Sequence, residues 1–289
     1  MILDIRNVVR HFGSTLALDG VDLVIERPQI VGLIGRNGAG KTTLLKLIPC
    51  LLRCESGSLQ VFGQDPWRNQ EQVLARMGYL GQDDLPPGTL KAQDLLDCAA
   101  GVYPGWDAAM AHRLLERFAI DPRRRLATLS GGQRRAVFLI LAVAHRPELL
   151  VLDEPAAGLD PVARRELLEA VVDLLAEAGS TVILSSHQFH DIERLAERVV
   201  LLHQGRVLAD TSLEELRSAC RVEVSAQLPN AVLPAQSMVA SRQVDGRHRL
   251  TVRLPAEEVR QRLQGAGVSA NVASITLEDL FIDWTGGAQ

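Results

Sequence analysis

Ile30 to Ile34 is a short, unbroken apolar run that leads directly into Gly35-Arg-Asn-Gly-Ala-Gly-Lys41-Thr42. A run of that kind reads as a strand buried on both faces, as strands of parallel sheets are. The eight residues after it satisfy the glycine-rich pattern of a phosphate-binding loop, and apolar residues at helical spacing follow from Thr42 to Leu52. Glycines let backbone N–H groups turn inward around phosphate oxygens, and the following helix points its positive end at them. Gly35, Arg36, Asn37, Gly38, Ala39, Gly40 and Thr43 are therefore phosphate-binding candidates. Lys41 would supply a point charge to the β- and γ-phosphates of a nucleotide, and the Thr42 hydroxyl would bind Mg²⁺.

A second buried strand, Leu149-Leu-Val-Leu, ends in Asp153-Glu154. Carboxylates at the C-terminal end of such a strand stand on the usual ligand edge of an open α/β sheet. Asp153 is suited to hold Mg²⁺, directly or through water. Glu154, one residue on, points elsewhere and is placed to polarise an attacking water as general base.

Around these motifs the chain reads as strands alternating with helices. Strands are expected at Ile2–Val9, Leu16–Ile25, Leu59–Phe62, Met77–Leu80 and Thr181–Ser185, helices at Ala163–Ala178 and Ile192–Arg198, and a hairpin from Val199 to Ala209. About 88–145 is helical, interrupted at Tyr103-Pro-Gly-Trp106. This implies a mostly parallel sheet with a helical insertion in its middle. Beyond Cys220 the motifs stop. Strands at Val222–Leu228, Leu250–Leu254 and Val268–Ile275 and helices at Pro255–Gln264 and Leu277–Trp284 make a small α/β appendix of roughly seventy residues. The domains are read as 1–218 and 219–289, without internal repeats.

Composition narrows the class. At 289 residues, 47% apolar and 23% charged, the chain has the make-up of an ordinary globular protein. The net charge of -4 gives no general pull toward nucleic acid. The longest apolar run, Val137–Ala144, is far short of the ~20 residues a membrane span needs, and Met1–His11 has no apolar signal-peptide core. A cytoplasmic location is expected. The four cysteines make no disulfide framework for this length. Cys50 and Cys54 have zinc-like spacing, but no second Cys/His pair completes a site.

Between the phosphate loop and the acidic pair stands Leu129-Ser-Gly-Gly-Gln133. Ser130 can donate a hydrogen bond, and Gly131-Gly132 leave backbone N–H groups exposed at a helix start. With this motif the chain resembles the ATP-binding subunit of ABC transporters, from about Phe12 to Gly205. The resemblance implies a P-loop NTPase core of the ABC type, with a mostly parallel sheet, an antiparallel β subdomain, the helical insertion and a small C-terminal α/β extension. It implies ATP and Mg²⁺ as cofactors, and two ATPase subunits that close around ATP. Ser130, Gly131, Gly132 and Gln133 of one subunit would meet the γ-phosphate held by the other, and Gly158-Leu-Asp160 would cross the interface. It also makes Gln82 a contact of Mg²⁺ or the attacking water. The segment after it, with Asp83 and Asp84, would meet the membrane partner. His187 becomes the residue that bonds the γ-phosphate and positions Glu154, with His190 a decoy. Phe12 becomes the ring stacked on adenine.

Two departures from the family pattern are visible. Pro28 replaces a common glycine before the Ile30 strand, and Ala156-Ala157 replaces a pair that usually contains threonine. Neither removes a catalytic group. Ser274-Ile-Thr-Leu-Glu-Asp-Leu-Phe-Ile-Asp-Trp-Thr-Gly286 and Tyr103–Asp107 resemble segments of bacterial type-2 ABC exporters, whereas sugar importers usually carry a longer, barrel-like tail. The expected role is therefore to power export through a separate transmembrane permease, on the inner face of the cell membrane. The alternatives are an importer ATPase and a soluble assembly ATPase of the iron–sulfur type. Translation-factor ATPases would carry two motif sets, and chromosome ATPases a long coiled coil, neither of which this sequence has.

Overall fold

The computed structural model describes residues 1–82, 88–225, 232–244 and 247–286, with backbone alone at 174–178. Alternating burial builds its first strands. β1 (Leu3–Phe12) and β2 (Thr15–Ile25) pair antiparallel, sinking Leu3, Ile5, Val21, Leu23 and Ile25 into the core. β3 (Ile30–Ile34) is the expected buried strand, and α1 (Lys41–Leu47) follows the phosphate loop. This helix ends well before Leu52. Ile48 is still helical at φ -62° and ψ -49°, and the chain breaks after Pro49, turning left-handed at Cys50 with φ 60°. β4 (Ser56–Val61) returns to β1, giving the antiparallel sheet β2-β1-β4.

After a short helix, α2 (Gln70–Leu74), comes β5 (Met77–Leu80). The insertion contains α3 (Ala92–Val102), α4 (Ala108–Arg117) and α5 (Gly131–Val143). The chain then alternates through β6 (Leu149–Asp153), α6 (Pro161–Ala178), β7 (Thr181–Ser185) and α7 (Phe189–Leu195). β5, β6, β7 and β3 lie side by side in that order, all parallel. Ser185 stands opposite Leu33 on one side and Asp153 on the other. Three loops, those after β3, β6 and β7, therefore leave the sheet at one edge.

α7 stops at Leu195 instead of continuing to Arg198, because Ala196 is already extended (ψ 145°). β8 (Arg198–His203) and β9 (Arg206–Ser212) follow, joined through Gln204 and Gly205, both left-handed at φ 47° and 77°. Here the chain passes between two compact units, Met1–Ala196 with Leu202–Val207 and Glu197–Leu201 with Leu208–Gln289. The boundary read from the sequence after residue 218 falls inside the second.

That second unit adds α8 (Leu213–Ser218), β10 (Cys220–Val224), β11 (Met238–Val244), β12 (Arg247–Val252), α9 (Ala256–Gly265), β13 (Ala270–Ser274) and α10 (Leu277–Trp284). Its antiparallel sheet, ordered β11-β12-β10-β13, encloses Val222, Val224, Leu250 and Val252 with Val259 and Leu263 of α9. The strand expected to reach Leu228 ends at Val224, and residues 226–228 lie outside the described residues. β11 was not foreseen. It is an edge strand whose Ser241, Arg242 and Gln243 break the apolar alternation.

Candidate functional site

The phosphate loop is shaped by what its glycines avoid. A Cβ at Gly35 would come within 2.4 Å of the Leu202 carbonyl oxygen. At Gly40, with φ 105°, a Cβ would meet the Ala17 carbonyl oxygen at 2.5 Å. Lys41 Nζ donates to the carbonyls of Gly35 at 2.7 Å and Arg36 at 3.3 Å, so the ammonium group sits inside the loop. Burial lowers its pKa, and the nearby charges of Glu154 and Asp153 oppose that shift. The site thus sets a desolvated cation beside two carboxylates.

Asp153 is fully buried, and its Oδ1 accepts from Ser185 Oγ at 2.7 Å. The same Ser185 Oγ accepts the Glu154 N–H at 2.8 Å. One hydroxyl therefore fixes two successive acidic residues. Asp153 Oδ2 has no hydrogen-bond partner among the described residues. A buried carboxylate oxygen left in this state fits a divalent cation or its bound water, and hydroxyl, amide and carboxylate oxygens are the hard donors Mg²⁺ prefers.

Glu154 has φ 49°, a left-handed conformation that costs a non-glycine residue on the order of 1–3 kcal/mol. Its Oε2 lies 2.7 Å from His187 Nδ1, and the histidine side chain is 52% exposed. Sequence reasoning missed Ser185, and it missed Arg135, whose guanidinium bonds the carbonyls of Gln82, Asp153, Glu154 and Pro155. The only sequence signal for Ser185 was its place at the end of an apolar strand. Arg135 carried a stronger one, a charge at the head of the apolar run Ala136–Val143.

An open cleft of about 530 Å³ joins these groups. Asn37, Gly38, Gly40, Lys41, Thr42, Thr43, Gln82, Glu154 and His187 all line it, together with Thr15 and Ala17. Gly35, Arg36 and Ala39 belong to the same loop, and Asp153 stands directly before Glu154. Phe12 is elsewhere. It lies 47% exposed at the end of β1, with the Arg10 guanidinium 5.1 Å from its ring centre.

Ser130, Gly131, Gly132, Gln133 and Asp160 do not line the cleft either. Ser130 caps α5 by accepting the Gln133 N–H at 3.1 Å, while Gln133 Oε1 accepts the Ser130 N–H at 3.2 Å. This reciprocal box leaves the exposed Ser130 hydroxyl proton available to donate outward. Gln133 Nε2 is held by the Ala119 carbonyl at 2.8 Å. Asp160 caps α6, accepting from Val162 and Ala163 N–H groups at 3.0 and 3.1 Å. Asp83 and Asp84 lie outside the described residues. Among the described residues no helix is long and apolar enough to cross a membrane.

A protein-family model described as ABC transporter matches residues 18–157. The daunorubicin resistance ATP-binding protein DrrA3 of Streptomyces coeruleorubidus is 34% identical, over 96% of this chain and 93% of its own length. The Nod factor export ATP-binding protein I of Burkholderia lata is 32% identical, over 98% of this chain and 97% of its own. Among solved structures, one described as the ATP binding subunit of an ABC transporter superposes with a TM-score of 0.68 at 30% identity, covering 75% of this chain and 92% of that one. Likeness at this level, over nearly the whole length, means that the chain belongs to the ATP-binding subunits of ABC transporters.

Proposed function

We propose that this ATPase hydrolyses Mg²⁺-bound ATP in sites shared with a second ATPase subunit, identical or different, and thereby drives export through a separate membrane permease. The observation that carries the chemistry is the Glu154–His187 pair, set at the mouth of the cleft that also holds Lys41. Loop residues 35–43 and Lys41 would hold the phosphates, and Phe12 the adenine ring. Thr42, Gln82 and Asp153 would hold Mg²⁺, which when bound neutralises phosphate charge as the terminal bond breaks. Glu154 would take a proton as water attacks the γ-phosphorus and ADP leaves, with His187 holding the carboxylate.

Two observations support a shared site. The cleft is lined by one half of the expected contacts, while Ser130 to Gln133 and Asp160 cap exposed helix starts outside it. The Ser130 hydroxyl and the N–H groups of Gly131 and Gly132 at the start of α5 suit the phosphates of a facing subunit.

A permease is supported by an apolar groove of about 490 Å³, in which Leu51, Leu74 and Gly81 face Leu95, Ala99 and Val102 of α3. Leu51 and Val102 are 53% and 66% exposed. A permease segment presenting apolar side chains to the cytoplasm is the occupant that fits this exposed apolar lining. That reading places the protein peripherally on the inner membrane face. Export is supported by relatives that match 96% and 98% of this chain, one described by drug resistance and one by export. Residues 1–218 are taken as the ATPase domain and 219–289 as an accessory domain.

The test is purification from detergent-extracted membranes, identification of any polytopic protein that accompanies the chain, and reconstitution of the pair in vesicles. ATP-dependent movement of substrate away from the ATPase side supports the proposal. Movement toward that side makes the protein an importer subunit, and full activity without any membrane protein makes it a soluble assembly ATPase. Val102→Glu should weaken the association while ATP binding persists.

A further inference from the structure

Arg135 stands on α5, the helix that begins at Gly131, and its side chain turns into the protein interior with only 6% exposure. Nε donates to the Pro155 carbonyl at 2.8 Å, and Nη1 to the Gln82 carbonyl at 3.0 Å. Nη2 donates to the carbonyls of Glu154 at 3.0 Å and Asp153 at 3.2 Å. Four of the five N–H groups of one planar guanidinium thus collect backbone oxygens from two separate segments. A lysine ammonium, as a point charge on a flexible stem, cannot hold this fork.

The segment so held is the one whose backbone is strained. Glu154, at φ 49°, has its N–H bonded to Ser185 Oγ and its carbonyl bonded to Arg135. Relaxing φ toward ordinary values would rotate the peptide units on either side and break one of these bonds. It would also carry the carboxylate away from His187 Nδ1. Arg135 is not among the residues lining the cleft, so any effect it has on hydrolysis passes through the groups it holds.

We propose that Arg135 is the positioning residue for Glu154. It fixes the backbone from Asp153 to Pro155 so that the glutamate carboxylate stays against His187 and over the cleft. The same guanidinium bonds Gln82, so α5, the glutamate and the Gln82 segment are registered to one another. The proposal rests on the reading of Glu154 as the general base.

The experiment compares Arg135→Gln, Glu154→Gln and the double variant in the full-length chain, using ATP, thermal melting and single-turnover phosphate release. Glutamine at 135 keeps a polar side chain but cannot span the four carbonyls. Arg135→Gln should melt cooperatively and bind ATP within about threefold of wild type, yet hydrolyse about 10²-fold more slowly, the scale of a misplaced catalytic group. In the Glu154→Gln background the same change should alter the residual rate by less than about twofold, because both act through one group. Arg135→Lys, which retains the charge and some donors, should recover part of the rate, and it takes over the test if the glutamine variant does not fold.

Wild-type turnover in Arg135→Gln, or a full multiplicative loss in the double variant, overturns the proposal. So does loss of ATP binding or of cooperative melting in both Arg135 variants, which would make the residue merely structural. Near wild-type turnover in Glu154→Gln would instead sink the general-base reading itself. An inactive Glu154→Gln beside a fully active Arg135→Gln sinks only the role of Arg135.

Discussion

Glu154 Oε2 and His187 Nδ1 lie 2.7 Å apart, although one residue follows β6 and the other follows β7. A carboxylate in that position accepts, so Nδ1 carries the donated proton and Nε2 is left to the contents of the cleft. The pairing depends on neighbouring parallel strands that end level, with Asp153 opposite Ser185. Removing the carboxylate's basicity while keeping its shape isolates the chemical step. Glu154→Gln should bind ATP with near wild-type affinity and hydrolyse it ~10²–10⁴-fold more slowly. A closed, ATP-bound dimer should accumulate, measurable by size-exclusion chromatography beside a phosphate-release assay. Near wild-type turnover would contradict the assignment.

Ser185→Ala removes a hydroxyl that serves both the Glu154 N–H and Asp153 Oδ1. Both partners are then left buried and unsatisfied, at about 1–3 kcal/mol for each such group. The variant should show a clearly lowered urea midpoint, and turnover should fall as well because Glu154 loses half of its backbone support. A midpoint equal to wild type would show that the bridge carries no stability.

How far the sequence disclosed this arrangement depended on contiguity. β3, the glycine loop and Lys41 form one unbroken stretch, and Leu129–Gln133 and Asp153-Glu154 are equally local, so their elements could be read directly. Ser185 and Arg135 could not be read that way, because their contacts are with residues 31–32 and 18–53 positions away. Chain geometry, absent from the text of the sequence, brings them together. Misread elements have local causes, different in each case. α1 was drawn through Pro49, α7 was extended past an already extended Ala196, and β11 hid among polar residues at a sheet edge.

Asp107 gives a test of stability without touching the site. Its carboxylate accepts the Met110 N–H at 2.8 Å at the start of α4 and pairs with Arg146. The Met110 N–H first, and Arg146 second, hold its pKa below the ordinary aspartate value. A depressed carboxylate contributes stability above its unfolded pKa of about 3.9 and loses it as pH falls through the lower folded value. Asp107→Ala should therefore cost about 1 kcal/mol at neutral pH, chiefly as a lost helix cap, since the Arg146 pair is largely exposed. In urea titrations the deficit should stay constant from about pH 8 to 5 and shrink only below about pH 4. A deficit that persists unchanged into strong acid would contradict the ionic origin.

The central claim, that each ATP is clamped between Lys41 of one subunit and Ser130 of another, is tested most directly by mixing two inactive variants. Lys41→Ala removes the cation inside the phosphate loop, and Ser130→Arg blocks the exposed start of α5. Each variant alone should be inactive as a homodimer, because every interface then contains the defect. A mixed dimer places both defects in one site and leaves the other with two native halves. ATPase activity should therefore reappear on mixing and follow the fraction of mixed dimers, measured by differential tagging. Mixtures that stay fully inactive although mixed dimers form, or single variants that retain turnover, would contradict the shared site.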